Sequence, residues 1–393
     1  MKQSNISKPP ADALACYQAG RRASLSGQLA LALQYYLSAH ALAPLHSDCL
    51  WNLGVTYHDL RQPELALQAF SEAYRISGNE MIRYNRAMTL LLAGDFSAGW
   101  PEYECRLQIP QHRHRYSWHE PQHRWTGQPF PGQTLVVYAE QGLGDCIQFC
   151  RYLPFAKALG GKTVLCAPPS LTPLLQTLAG VDAVIPGSAA GPSQPVRLRW
   201  AVPVMSMPGL FQTTLATIPD HAPYLQVPAD YRQKWQRLLA PHRRSSRRKI
   251  GFVFASANDL SVKSCPLDQW APLVSLPGLQ WFSLQKGAAA ADLASAAPPF
   301  DQVVDLSESI GDFADTAALL EQLDLLITID TSVAHLAGAM GKPTWLLLPF
   351  AADWRWLLGR SDSPWYPSFR LFRQAAPGQW PAVIETVRQQ LLS

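Results

Sequence analysis

Two short segments of this 393-residue chain place polar side chains where predicted strands end. The first is Gly142-Leu143-Gly144-Asp145, which follows an apolar strand predicted over 134–139 and opens a helix predicted over 145–158. Glycines such as Gly142 and Gly144 let the backbone approach a ligand closely, and a helix N-terminus favours an anion. Asp145 places a carboxylate at that end of the helix, either as a group for chemistry or simply as a cap.

The second segment is Asp330-Thr331-Ser332-Val333-Ala334-His335, which begins where a buried strand predicted over 325–329 ends. Ligands of open α/β sheets bind at the carboxyl ends of the strands. The backbone N–H groups and hydroxyls of Thr331 and Ser332 could hold a diphosphate, with Asp330 and His335 beside them. The alternative is an ordinary capped helix with a buried histidine whose hydrogen bonds are satisfied.

Three further side chains are candidates for ligand contact. Lys263 lies in a polar loop after a strand that ends at Phe254, and a lysine there can neutralise a phosphate. Most lysines on loops are simply solvated. Trp354 and Trp365 lie in an aromatic-rich region and could stack on a base or a sugar, although such side chains more often pack in a core.

Several familiar catalytic motifs are missing from the sequence. It contains no D-x-D, no G-x-x-x-x-G-K-[ST] and no G-x-S-x-G. These absences disfavour P-loop and α/β-hydrolase chemistry and a metal ion that bridges a nucleotide diphosphate through D-x-D. We therefore expect neither a metal nor a bound cofactor.

The first of the elements that would position these residues is an internal repeat near the start of the chain. Four small and aromatic residues recur after 34 positions: Gly20, Ala32, Tyr36 and Ala39 reappear as Gly54, Ala66, Phe70 and Ala73. The small residues let paired helices approach each other, and the aromatic residue fills the space between one pair and the next. With a third, atypical copy, residues 11–107 resemble tetratricopeptide repeats.

Residues 108–130 break this helical pattern and contain His112, His114, His119 and His123. Pro121 interrupts the only pair of these histidines at helical spacing, so we predict a surface connector rather than a metal site.

From residue 131 onward, predicted strands and helices alternate, which is typical of parallel sheets. Two such series, 131–228 and 250–393, are separated by 229–249, which contains Arg243, Arg244, Arg247, Arg248 and Lys249 and is interpreted as a solvated linker. The predicted fold class is α plus α/β, with helical repeats followed by two Rossmann-like lobes that face a cleft.

Composition narrows the function classes. A net charge of +4 without a basic stripe argues against nucleic acid as a partner. Seven cysteines with no C-x-x-C argue against a disulfide framework and fit a reducing compartment. No uncharged apolar run approaches the roughly 18 residues that a membrane span needs, and the start lacks the apolar stretch of a signal peptide. We expect a cytoplasmic protein.

Longer stretches of sequence that include the two strand-end segments indicate a protein family more specifically than the short motifs do. AEQGLGDCIQFCRYLP, DLLITIDTSVAHLAGAMGKPTWLLLP and DWRWLLGRSDSPWYPS resemble bacterial tetratricopeptide proteins that carry a heptosyltransferase-like glycosyltransferase module of the GT-B fold. Gly144-Asp145 and the Asp330–His335 segment match that family's motifs in order, and Ser332 stands where heptosyltransferases have glycine. Where the family usually has Trp-Ala-Gly, this chain has Phe254-Ala255-Ser256-Ala257.

The resemblance implies roles for these residues. Asp145 would be the general base that deprotonates an acceptor hydroxyl. Lys263 and the segment from Asp330 to His335 would hold the donor diphosphate without a metal ion. The donor would be a nucleotide-sugar, and the helical repeats would recruit a protein or glycan acceptor.

Two other function classes stay open at this point. The chain could be a non-catalytic interaction protein in which the repeats bind a partner and the glycosyltransferase module is degenerate. A nicotinamide-dependent oxidoreductase is disfavoured, because the sequence lacks a complete G-x-G-x-x-G.

Overall fold

The computed structural model describes residues 11–111, 121–188, 190–194, 196–242, 246–256 and 263–393. The chain divides into two compact units. The helical unit contains the first part of the chain together with Thr213–Leu215 and Asp353–Gly359, and the α/β unit contains the remainder. His112, His114, His119, Arg243, Arg244 and Ala257, on which some of the expectations above fall, lie outside the described residues.

Six helices form the first part of the helical unit: α1 Ala11–Leu25, α2 Leu29–Leu42, α3 Ser47–Asp59, α4 Pro63–Ser77, α5 Glu80–Leu92 and α6 Phe96–Tyr103. Within this unit α1 packs on α2, α3 on α4, and α5 on α6. These three helix pairs confirm the predicted tetratricopeptide repeats.

The recurring small and aromatic residues explain the 34-residue period. A Cβ atom added at Gly20 would lie 2.6 Å from the ring of Tyr36, and one added at Gly54 would lie 2.5 Å from the ring of Phe70. Both rings are buried. Each glycine therefore lets the second helix of its own pair place an aromatic ring directly against the first.

Two later segments of the chain complete the third helix pair. The indole Nε1 of Trp100 donates to the carbonyl of Thr213 at 3.0 Å. The ring of Trp354 packs against those of Trp100 and Phe96, with centroids 5.4 Å and 6.3 Å apart. The region 250–393, predicted as one lobe, therefore contributes its residues 353–359 to the helical unit.

The first sheet of the α/β unit has five strands: β1 Thr134–Tyr138, β2 Lys162–Ala167, β3 Ala183–Ser188, β4 Gly191–Pro192 and β5 Trp200–Pro203. Their order is β4-β3-β2-β1-β5; β3 and β4 pair antiparallel, and the other neighbouring strands pair parallel. The helices of this lobe are α7 Leu143–Phe149, α8 Leu153–Ala158, α9 Thr172–Leu175 and α10 Met207–Leu210.

One helix predicted over 145–158 is two helices in the structure. A 3-10 turn at Cys150–Tyr152 separates α7 from α8. Pro154 lies in the first turn of α8, where its missing N–H group and fixed φ suit a helix start rather than a helix interior.

The second lobe begins with α11 Ala229–Leu238, inside the segment predicted as a linker. Its strands are β6 Arg248–Val253, β7 Leu279–Ser283, β8 Val304–Asp305, β9 Leu325–Ile329, β10 Thr344–Leu348 and β11 Phe369–Arg373. They form a parallel sheet in the order β11-β10-β9-β6-β7-β8. The helices that follow α11 are α12 Ala271–Val274, α13 Ala290–Ala294, α14 Phe313–Glu321, α15 Ser332–Ala339 and α16 Trp380–Leu392. Two parallel-sheet lobes after a helical stack confirm the predicted fold class.

All seven cysteines are free thiols, and all except the half-buried Cys16 are buried. Burial raises the pKa of Cys49, Cys105, Cys150 and Cys265 to about 12. In the part of the chain that the structure describes, no helix is long and apolar enough to cross a membrane.

Candidate functional site

The two strand-end segments meet within the α/β unit. Helix α7 of the first lobe contacts α15 of the second lobe. A Cβ atom added at Gly144 would lie 2.7 Å from Cδ2 of His335 and 3.4 Å from Cα of Ser332. Only glycine allows this approach, so the type of residue at position 144 is set by the contact between the lobes.

Each segment sits where strand geometry places it. α7 follows the carboxyl end of β1, and α15 follows the carboxyl end of β9, which lies between β6 and β10 in the second sheet. Ligands of doubly wound sheets bind outside these ends. The topology of both lobes therefore turns their candidate segments toward a common region.

Asp145 is half-buried in the first turn of α7. Its Oδ2 accepts a hydrogen bond from the backbone N–H of Gly142 at 2.7 Å. Gly142 is the N-cap residue of α7, and Asp145 caps the helix from its third position rather than as the N-cap itself. A role of Asp145 as a base stays a prediction. The next residue, Cys146, is fully buried, which raises the pKa of its thiol well above the usual value and keeps it neutral.

Asp330 is the hub of the second segment and is 8% exposed. Its Oδ2 lies 3.0 Å from Nζ of Lys263, and its Oδ1 lies 3.9 Å from Nε2 of His335. The side chain of Lys263 is 35% exposed, so its ammonium is held by Asp330 while still reaching the solvent side. The structure therefore brings together three of the predicted site residues.

His335 is 6% exposed and has a partner that the sequence did not suggest. Its Nδ1 lies 3.0 Å from the hydroxyl of Tyr366. Tyr366 lies in the aromatic-rich stretch DWRWLLGRSDSPWYPS, where its residue type alone does not single it out. Its pairing with His335 spans 31 residues of sequence, and no local pattern indicates it.

A cavity of about 320 Å³ opens beside the start of α15. Its lining comes from both lobes and combines apolar with polar side chains: Leu143, Ser170, Val253, Ala255, Ser256, Leu284, Gln285, Lys286, Gly287, Ile310, Gly311, Asp312, Phe313, Thr316, Thr331, Ser332 and Val333. This volume is at the lower end of the range usual for small-molecule sites.

Two polar features of the cavity concern an anionic ligand. Among the described residues, the buried Oγ1 of Thr331 has no hydrogen-bond partner, and buried hydroxyls normally have one. The first N–H groups of α15 have no partner within their own helix. Lys286, which the sequence did not single out, also lines the cavity, but its Nζ donates to the carbonyls of Ser307 and Ile310.

The structure corrects the suggestion that Trp354 and Trp365 stack on a ligand. Each is 1% exposed. Trp354 packs in the helical unit as described above, and Trp365 packs edge-on against Phe149 in the α/β unit. Both tryptophans fill cores, the alternative that their composition left open, because no face of either ring reaches solvent.

No group of three or more His, Cys, Asp or Glu side chains within the described ranges could hold a metal ion. The expectation that no metal takes part stays a prediction.

Comparisons with known proteins agree with this architecture. No family model matches the chain. A curated relative, Protein FlbA of Caulobacter vibrioides, is 28% identical over 390 residues, which cover 93% of this chain and 64% of that protein. The chain thus spans less than two thirds of the length of this relative.

Among solved structures, a glycosyl transferase family 9 protein from Veillonella parvula matches with a TM-score of 0.50 and 11% identity, covering 67% of this chain and 96% of that one. The E. coli ADP-heptose heptosyltransferase II matches with a TM-score of 0.46 and 13% identity, covering 66% and 100%. This chain therefore combines tetratricopeptide-like helix pairs with a two-lobed module that has the fold of the family 9 glycosyltransferase structure.

Proposed function

We propose that this chain is a glycosyltransferase that moves a sugar from a nucleotide-sugar donor to a hydroxyl of an acceptor. The observation that carries the proposal is the cavity shared by the two lobes, where Leu143 of the glycine loop and Thr331 of the second segment line one space. A transferase must hold two substrates with their reacting atoms together, and two facing strand-end segments provide one position for each.

The donor diphosphate is assigned to the start of α15. The unpartnered hydroxyl of Thr331 and the first N–H groups of the helix are donors, and a helix N-terminus attracts negative charge. Lys263 adds an ammonium that Asp330 holds in place. As the bond from the sugar to the diphosphate breaks, the leaving group gains negative charge, and these groups stabilise it.

The acceptor hydroxyl is assigned to Asp145. In the transfer step the acceptor oxygen forms a bond to the anomeric carbon, the diphosphate leaves with the electron pair of its bond, and the hydroxyl proton passes to the Asp145 carboxylate. A positioned general base contributes about 10²–10⁴-fold to such a step. Gly142 orients the carboxylate through its N–H group.

The proposed mechanism uses no metal ion. Lys263 and the dipole of α15 supply the positive charge that a bridging metal would otherwise provide. We expect turnover with the correct donor and acceptor to be unchanged by a chelator such as EDTA, and loss of activity restored by added Mg²⁺ or Mn²⁺ would contradict this part.

The helical repeats are proposed to recruit a protein or glycan acceptor. The first helices of successive pairs share a face, since Nδ2 of Asn52 in α3 donates to the hydroxyl of Tyr17 in α1 at 3.2 Å. Amphipathic repeats commonly bind partners along such a face. Arg21 lies on the Tyr17 side of α1, while its exposed neighbour Arg22 lines a small hollow elsewhere on the unit.

Those two arginines give a matched test of recruitment. Arg21→Glu should raise the KM for the acceptor without changing donor binding, and Arg22→Glu makes the same charge change away from the shared face. Equal effects of both substitutions would count against recruitment by this face. Substitution is preferable to deletion of 1–107, because Trp354 packs against α6 and would be uncovered.

The alternative is a scaffold protein with a degenerate module. A panel of nucleoside diphosphates in a thermal-shift assay separates the two functions. Specific stabilisation by one of them supports a donor site, since a ligand that binds only the folded state raises the melting temperature. If none of them, and no nucleotide-sugar, shifts the melting temperature, the scaffold function is favoured.

A further inference from the structure

We propose that Tyr366 is a positioning residue of the donor site and that Arg151, from the first lobe, holds Tyr366 in place. Tyr366 would fix the ring orientation and tautomer of His335, the histidine beside the diphosphate position. The inference rests on the proposed function in one respect, because the role of His335 toward a diphosphate belongs to that function.

Tyr366 contacts His335 directly. The hydroxyl of Tyr366 lies 3.0 Å from Nδ1 of His335, and the two ring centroids are 5.8 Å apart. With Nδ1 engaged, Nε2 is the nitrogen that faces Asp330, 3.9 Å away. A tyrosine hydroxyl can donate or accept, and that of Tyr366 also hydrogen-bonds Tyr224, so its single proton can go to only one of the two partners. The tautomer of His335 is therefore coupled to Tyr366, and with it what Nε2 presents to the site.

The ring of Tyr366 cannot move away. It is fully buried, and a Cβ atom added at Gly338 in α15 would overlap it. The ring of Phe369 packs on it with centroids 4.9 Å apart. A buried ring enclosed by a helix backbone and another aromatic side chain keeps its hydroxyl at one place.

Arg151, from the first lobe, is 3% exposed, so its guanidinium is buried. Its Nη1 donates to the carbonyls of Trp365 at 2.9 Å and Pro219 at 3.0 Å. Its Nη2 donates to the hydroxyl of Tyr224 at 3.1 Å, and its Cζ lies 4.8 Å from the ring centroid of Tyr366.

The charge of Arg151 has an unusual environment. Across the described part of the chain, no carboxylate forms an ion pair with it, and burial raises the pKa of Tyr224 to about 12, so that phenol stays neutral. Carbonyl oxygens and aromatic ring faces therefore hold the cation. A buried charge without an ionic partner is costly to fold, which is a reason to look for a role beyond stability.

The position of Arg151 in the sequence supports that role. It lies in the 3-10 turn directly after α7, six residues beyond Asp145. One short element of the first lobe therefore carries Asp145 and the cation that clamps the segment before Tyr366. The acceptor side of the site thereby holds a residue that orients the donor side.

The experiment compares full-length wild type with Tyr366→Phe, which removes only the hydroxyl, and with Arg151→Lys. Tyr74→Phe in the helical unit is the control, because it also removes a bonded tyrosine hydroxyl, in that case one that donates to Glu80. Imidazole ¹⁵N chemical shifts of the ligand-free proteins report the tautomer of His335, with its signals identified by His335→Gln. Calorimetric titration with inorganic pyrophosphate probes the diphosphate position independently of the donor's base.

We expect a single tautomer of His335 in wild type and Tyr74→Phe, and a mixture in Tyr366→Phe. Pyrophosphate binding should weaken about three- to tenfold in Tyr366→Phe, the usual effect of one lost hydrogen bond. Arg151→Lys should move the His335 signals in the same direction. Unchanged His335 shifts in a folded Tyr366→Phe protein would overturn the proposal.

The two proposals can fail separately. If wild type does not bind pyrophosphate but the His335 tautomer still changes in Tyr366→Phe, the positioning role stands and the donor site is wrong. If wild type binds pyrophosphate and neither the shifts nor the affinity change in Tyr366→Phe, the donor site stands and the positioning role is wrong.

Discussion

The helical unit and the α/β unit use one packing device for different ends. In the helical unit, Gly54 makes room for the ring of Phe70, and in the α/β unit Gly338 makes room for the ring of Tyr366. Phe70 is pure hydrocarbon, so its placement only joins two helices. Tyr366 carries a hydroxyl that reaches His335, so the same kind of contact there also fixes a polar atom. A glycine under an aromatic ring is therefore a packing feature in one unit and a constraint on the site in the other.

Two capping aspartates give the largest expected contrast between the units. Asp145 accepts from Gly142 at the start of α7, and Asp95 accepts from the N–H of Ala98 at the start of α6. The amide oxygen of an asparagine can accept either of these hydrogen bonds, but asparagine cannot take a proton as a carboxylate can. Asp145→Asn should keep stability and donor binding while turnover falls about 10²–10⁴-fold. Asp95→Asn should leave turnover unchanged in the same assay, and substantial turnover by folded Asp145→Asn would remove Asp145 from the mechanism.

Two ion pairs, one in each unit, can be compared by their effects on pyrophosphate binding. Lys263 pairs with Asp330 in the α/β unit, and Arg86 pairs with Glu102 at 2.6 Å in the helical unit. Lys263→Ala should weaken pyrophosphate binding by about 1–3 kcal/mol, the usual range for a charged hydrogen bond. Arg86→Ala should leave that binding unchanged in calorimetry. Equal affinities of wild type and Lys263→Ala would reject the role of Lys263.

Replacing Gly54 and Gly338 by alanine tests the contact between glycine and aromatic ring in both units. Gly54→Ala and Gly338→Ala each introduce a methyl group against a buried ring, and overpacking of this kind commonly costs about 1–3 kcal/mol. We expect both to lower stability in urea unfolding, with only Gly338→Ala also weakening pyrophosphate binding. Loss of pyrophosphate binding in both variants, or in neither, would break the distinction.

The smallest effect is a dependence of stability on pH with opposite signs in the two units. Burial raises the pKa of Asp59 in α3 to about 6, so its folded state favours the neutral acid. Its contribution is therefore fully present below the unfolded pKa and is lost as pH rises through the folded pKa. Asp182 behaves oppositely, because its bond to Lys157 lowers its pKa.

The measurement is the free energy of unfolding between about pH 4 and about pH 7, where linkage gives about 2 kcal/mol for Asp59. Asp59→Asn should gain stability over wild type toward the upper end of that range. Asp182→Asn should lose stability there, since the paired carboxylate contributes above its unfolded pKa. An Asp59→Asn protein whose stability relative to wild type does not change with pH would contradict the assignment.

Most of the helical unit could be predicted from sequence, because its contacts are local. Gly20 and Tyr36 belong to one helix pair, and the same contact recurs in the next pair, so the pattern shows directly in the sequence. The two halves of the site were also predictable, since glycines and hydroxyls that follow apolar strands form short patterns. Tyr366 and Arg151 were not, because their partners are chosen by the tertiary fold, and Arg151 meets Trp365 across 214 residues.

The segments that sequence reasoning misplaced share a physical cause. The sequence predicts a linker where α11 lies, because α11 buries one large residue, Trp235, whose indole donates to Asp315 at 2.8 Å. The sequence pattern predicts no strand over 369–373, because β11 lies at the edge of its sheet and Arg370 within it is exposed. Elements with a single buried anchor or one exposed edge carry too weak a periodicity to be recognised.

Because six of the seven cysteines are buried, thiol labelling can report which parts of the folded chain open. Cys49 and Cys105 belong to the helical unit, and Cys146, Cys150, Cys166 and Cys265 belong to the α/β unit. A thiol reagent attacks the thiolate of an accessible cysteine, so in the native protein only the half-buried Cys16 offers itself for alkylation. Every additional adduct then marks a residue that its unit has released. Mass spectrometry of a partly labelled sample would show which of the two units opens first.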